Sequence, residues 1–104
     1  MMICPYCQTK LEPRLTQRLT QHISCIYVCP CGVEFNMKNN QMFYWSFYTI
    51  VNQQKFMLIF ITQFGGTQSF SIWDDNRRVL QLSILPNITP TNAQEKIPLY
   101  LLFS

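Results

Sequence analysis

Charge is scarce in this chain: Asp, Glu, Lys and Arg make up 12% of its 104 residues, about half the usual share. A surface so poor in charge fits a protein partly covered by neighbours. There is one histidine, and there are only five acidic residues. No Ser/His/Asp set, phosphate loop or pair of acids in a cleft can be assembled from them, so catalysis is not expected. Long apolar runs are missing too. The most apolar stretch, Phe43 to Ile61, is broken by Asn52-Gln53-Gln54-Lys55, whereas a membrane helix needs roughly 20 unbroken residues. Met1-Met2-Ile3-Cys4-Pro5 carries no basic leader followed by an apolar stretch, so the expectation is an intracellular protein without a membrane anchor.

Basic residues are not concentrated. The net charge is +3, and Lys10, Arg14, Arg18, Lys38, Lys55, Arg77, Arg78 and Lys96 are scattered along the chain. Asp74 and Asp75 stand beside the Arg77-Arg78 pair. A dedicated nucleic-acid binder usually carries a denser basic patch. Lys10, Arg14 and Arg18 are the best candidates for such contact, because Arg14 and Arg18 share one face of an extended strand.

Cysteine, by contrast, is abundant. All five cysteines precede residue 32, and with no export signal they point to metal rather than disulfides. Cys4-Pro5-Tyr6-Cys7 is a CxxC turn, and Cys25-Ile26-Tyr27-Val28-Cys29-Pro30-Cys31-Gly32 is a second cluster. Between them the two supply the four sulfur ligands that a tetrahedral zinc site takes. The intervening segment is rich in Thr, Arg and Gln, as suits an exposed β-hairpin. Cys4-Pro5-Tyr6-Cys7 followed by Tyr27-Val28-Cys29-Pro30-Cys31-Gly32 resembles a zinc ribbon, in which two cysteine knuckles at hairpin tips grip one ion. The resemblance covers about the first third of the chain. It implies the metal and says little about activity. It also departs from the usual pattern, since only Pro30 separates Cys29 from Cys31 and that turn must be tighter.

On an extended strand Cys25 and Cys29 lie roughly 13 Å apart, at about 3.3 Å per residue, too far to share one ion. Cys4, Cys7, Cys29 and Cys31 are therefore the expected ligands. Sets using Cys25 with Cys29 or Cys31, or His22 with Cys25, are the alternatives. Four thiolates leave no open position, so the zinc is expected to be structural. Thiol exchange at Cys4 and Cys7 lacks the βαβ setting that would support it.

Aromatic bulk begins where cysteine ends, and this divides the chain into a zinc-ribbon module over 1–38 and a β-rich body over 43–104. Asn36 to Gln41 reads as a polar join. The body reads as a four-stranded antiparallel meander: Phe43 to Val51, Lys55 to Gln63, Gln68 to Trp73 and Arg78 to Leu85. Phe43, Trp45 and Phe47 alternate with Tyr44, Ser46 and Tyr48. Lys55 to Gln63 is apolar on both faces, as in a strand covered on both sides. A C-terminal helix follows, starting at Thr89-Pro90 or a turn later, with Ile97, Leu101 and Leu102 as its apolar stripe. Its expected role is to cover one sheet face.

The expected fold is thus mostly β: an N-terminal zinc ribbon, a four-stranded meander and a C-terminal helix. The function these features favour is a zinc-stabilised interaction module, part of a larger assembly. Its partner, another protein or a second copy, would cover the aromatic sheet face. The abundance of Asn, Gln, Ile and Phe fits an AT-rich source such as a virus. A nucleic-acid-binding or transcription-related accessory is the alternative.

Overall fold

In the computed structural model, residues 2–19, 22–38 and 42–102 are described, with residues 15–19, 22 and 23 described by their backbone alone. Two short strands, β1 (Met2–Ile3) and β2 (Lys10–Leu11), flank the first cysteine turn and pair antiparallel. Seven more strands form one antiparallel sheet: β3 (Leu15–Leu19), β4 (His22–Val28), β5 (Glu34–Lys38), β6 (Met42–Val51), β7 (Gln54–Gln63), β8 (Gln68–Asp74) and β9 (Arg77–Leu82). Their spatial order is their sequence order. The fold is mostly β, as its alternating residues require.

The strand count differs from the expected four. The strands β6 to β9 match the four read from the sequence, but β3, β4 and β5 extend the same sheet. The pairing of β5 with β6 runs from Glu34↔Ser46 to Lys38↔Met42. Asn36, Met37 and Lys38 of the expected join are therefore strand residues, and only residues 39–41 of that join lie outside those described. The seam forms because Phe35 and Met37 continue the apolar row of Trp45 and Phe43 across it. The hairpin expected between the two cysteine turns, β3–β4, thus belongs to the seven-stranded meander rather than to a separate small sheet.

Tight turns hold the register. Asn52 and Gln53 connect β6 to β7 with φ of 52° and 66°, the double left-handed conformation of a two-residue hairpin loop. Asp75, at φ 57°, begins the turn into β9. A bulge between Ile72 and Trp73 displaces the β8–β9 register by one residue. The strand β9 ends at Leu82 rather than Leu85, and Ile84 is exposed.

Alternation gives the sheet two unlike faces. Phe35, Phe47, Phe56, Leu58, Phe60, Phe70 and Ile72 point to one side and are buried. Two elements lie over that side. One is the β1–β2 turn, through Cys4, Tyr6 and Leu11. The other is the helix α1 (Ala93–Leu101), which packs on β6 and β9 through buried Ala93 and Ile97. Ring contacts run unbroken between the two covers: Tyr6 to Phe47, Phe47 to Phe60, Phe60 to Phe70 and Phe70 to Tyr100, with centroids 5.0–6.1 Å apart. The opposite face carries Tyr44, Tyr48, Met57, Ile59, Ile61 and Trp73. None of these packs against the core cluster.

The helix starts later than Thr89. Its N-cap is Asn92, and its first residue is Ala93. Thr89 and Asn92 bond reciprocally: the Thr89 N–H donates to Asn92 Oδ1 (2.8 Å) and the Asn92 N–H to Thr89 Oγ1 (3.2 Å). That exchange closes a turn ahead of the helix and uses up the side chain that would otherwise cap it. Pro98 sits inside the helix, and Leu102 is exposed rather than part of the apolar stripe. No helix among the described residues is long and apolar enough to cross a membrane.

Candidate metal centre

The two cysteine turns are built on one plan with one residue of difference. In the first, the Cys4 N–H donates to the Thr9 carbonyl and the Gln8 N–H returns to the Cys4 carbonyl, each over 2.9 Å. Gln8 takes the left-handed conformation, φ 64°, to let the chain double back. In the second, the Cys29 N–H donates to Val33 and the Gly32 N–H to Cys29, again over 2.9 Å. Here the left-handed residue is Gly32, at φ 99°. Each turn has proline after its first cysteine and a left-handed residue after its second. Deleting one residue between Cys29 and Cys31 shortens the closing bond from i+4 to i+3 and leaves the plan intact.

Because β1–β2 folds over the sheet while β4–β5 lies within it, the two turns meet. The sulfurs of Cys4, Cys7, Cys29 and Cys31 all lie within 4.8 Å of one another. Cys4 Sγ is 3.8 Å from Cys31 Sγ, and Cys7 Sγ is 3.2 Å from Cys29 Sγ. Four thiolates at about 2.3 Å from a tetrahedral zinc stand roughly 3.8 Å apart, so this donor set fits such an ion. Cys25 lies on β4 opposite Met37 and packs against the core, outside the cluster. The side chain of His22 is outside the described residues.

The electrostatics of the four thiols are unequal. Burial pushes the Cys29 thiol up to about 12 and raises Cys31 as well. Cys7, which is exposed, is lowered to about 6, chiefly by a hydrogen bond from Thr9, whose Oγ1 lies 3.2 Å from its sulfur. A cation among the four would offset the desolvation that disfavours the Cys29 and Cys31 thiolates, and Thr9 already stabilises that of Cys7.

Tyr6, between Cys4 and Cys7, anchors the site to the sheet. Its hydroxyl accepts a 2.8 Å hydrogen bond from the Trp45 indole N–H, and its ring meets Phe47 edge-on at 6.1 Å. Sequence reasoning passed over Tyr6 and Thr9. An aromatic inside a cysteine turn was the available signal, but its partner lies 39 residues away.

Of the basic candidates, Lys10 on β2 and Arg14 just before β3 are exposed. The Arg14 N–H donates to the Ile26 carbonyl (2.7 Å), fixing the backbone at the base of the hairpin. The side chain of Arg18 is outside the described residues. Comparison with protein-family models, curated proteins and solved structures finds no match.

Proposed function

We propose that this chain is a non-catalytic docking module, held together by one structural zinc on Cys4, Cys7, Cys29 and Cys31. It binds protein through the face of its sheet that no other element among the described residues covers. The observation that carries this reading is the one-sidedness of the fold. The metal turn and the helix both cover the side bearing Phe47 and Phe60. On the other side Tyr48 is 59% and Ile50 55% exposed, alongside half-buried Tyr44, Met57, Ile59, Ile61 and Trp73. Large apolar patches of this kind are rare on monomers and usually mark an interface. A four-thiolate site has no position left for substrate, which supports a structural role for the metal.

The alternative is a nucleic-acid accessory contacting phosphates through Lys10, Arg14 and Arg18, and it rests on the exposure of Lys10 and Arg14. The two readings separate in one experiment. A photo-crosslinking phenylalanine analogue placed at Tyr48 in the living source should yield adducts with protein. Nucleic-acid adducts alone, or no adduct above background, would sink the docking reading.

A further inference from the structure

We infer that the uncovered sheet face is occupied by a second copy of this chain, two sheets packing face to face about a two-fold axis parallel to the strands. The inference rests on the docking role proposed above and names its partner.

Size is the first ground. Strands β6 and β7 each have ten residues, about 33 Å at 3.3 Å per residue, and six strands from β4 to β9 span roughly 24 Å at 4.8 Å spacing. The face is therefore on the order of 700–800 Å², the area one partner contributes to a standard protein interface. Aligned sheets pack about 10 Å apart with their side chains interdigitating, so one sheet face is well met by another.

Shape is the second ground. On β6 the small Ser46 lies between Tyr44 and Tyr48, and its register partner on β7 is Ile59. A two-fold axis running between β6 and β7 lays each strand over the other strand of the partner copy. Ile59 then falls over the low point at Ser46, Ile61 over Tyr44 and Met57 over Tyr48, and every contact occurs twice. An interface between identical copies needs one patch to carry both the projection and the hollow. The β6–β7 pair has both.

Charge is the third. Glu34 on β5 and Arg78 on β9 are exposed on either side of the β6–β7 pair. The same axis lays β5 over the other copy's β8, beside its β9, and so brings each Glu34 toward the other copy's Arg78. Lys55 is held 4.2 Å over the Tyr48 ring at the open end of the sheet. The two copies of Lys55 are brought toward each other there, where salt and water screen them.

Sedimentation equilibrium of the metal-loaded full chain, from about 1 to 100 μM, should report a dimer. Ile59→Glu should abolish it. Because Ile59 is half-buried, two exposed substitutions keep the test independent of folding. Glu34→Arg and Arg78→Glu should each weaken dimerisation several-fold, and the double variant should restore it. A monomer throughout that range overturns the inference. So does a dimer indifferent to Ile59→Glu and to both charge reversals. The crosslinker at Tyr48 separates this failure from that of the docking role. Adducts of the chain with itself support the second copy, and adducts with a different protein alone reject it while leaving the docking role standing.

Discussion

The Trp45 indole N–H donates to the Tyr6 hydroxyl over 2.8 Å, and this bond, with the ring contact between Tyr6 and Phe47, ties the first cysteine turn to the covered face of the sheet. Removing the acceptor with Tyr6→Phe leaves the indole N–H unpaired in a half-buried setting. The expected cost is about 1 kcal/mol, read as a fall in melting temperature of roughly 4–8 °C for a domain of this size. Tyr6→Ala also forfeits the ring contact with Phe47 and should cost more. The Tyr6/Trp45 pair should be coupled in a double-mutant cycle, and additive effects would count against the bond.

The same tyrosine sets an alkaline limit. Burial, more than any other influence, lifts the Tyr6 hydroxyl above its ordinary pKa of 10.0. The folded chain therefore holds the phenol form. That contribution is complete below about 10 and is lost as pH rises through the raised value. Denaturant titrations from neutral to strongly alkaline pH should show stability falling in that window, and more steeply in the parent than in Tyr6→Phe. Equal slopes would remove Tyr6 as the cause.

Metal content provides a direct test of the cysteine cluster. One zinc per chain is expected, with a first shell of sulfur alone by X-ray absorption. Cys4→Ser or Cys31→Ser should release the metal and unfold the N-terminal turn, since structural zinc contributes folding energy. Cys25→Ser should keep the metal. Nitrogen in the first shell, or loss of zinc in the Cys25 variant, would reassign the site.

Gly32 isolates backbone from packing. Nothing lies within 4 Å of where its Cβ would stand, and its φ is +99°. Gly32→Ala therefore carries a conformational cost alone, about 1–2 kcal/mol. It should appear as faster loss of metal to a chelator. The reverse change at Gln53, φ 66°, should stabilise the β6–β7 hairpin by a comparable amount when glycine replaces glutamine. A lower melting temperature for Gln53→Gly would contradict the turn geometry.

Nucleic-acid affinity should not exceed the non-specific level, roughly 10⁻⁴ to 10⁻⁶ M at physiological salt. Filter binding or anisotropy against mixed single- and double-stranded probes tests this. Submicromolar binding to one sequence, lost in Arg14→Ala, would put the accessory reading ahead.

What could be read in advance divides along physical lines. The strands β6 to β9 and their faces were legible because Phe43, Trp45 and Phe47 alternate with polar or smaller residues, a period-two signal that needs no tertiary context. The convergence of Cys4, Cys7, Cys29 and Cys31 was legible because short spacing and strand length limit what can meet. The pairing of β5 with β6 was not, since Glu34 to Lys38 is short and polar at both ends and takes its identity from neighbours. Nor was the late start of the helix, where Thr89 bonds Asn92 instead of capping. Nothing local tells Tyr6 which face it will cover, because Trp45 and Phe47 are distant in sequence.

The order of the strands has a consequence for how the molecule is made. All four sulfurs of the metal cluster belong to residues 4–31, while the aromatic strands they sit beside begin at Met42. The chain leaves the ribosome in order, at about 5–20 residues per second, so the clamp can close before Trp45 or Phe47 has emerged. Each later strand then joins next to the one made just before it, and the only unfinished seam is the newest. A metal held by the two cysteine turns would act as a jig at the start of this sequence, and the helix is the last piece laid over the same side. A chain deprived of metal while being translated should therefore lose its starting edge, and with it the surface against which the aromatic strands first settle.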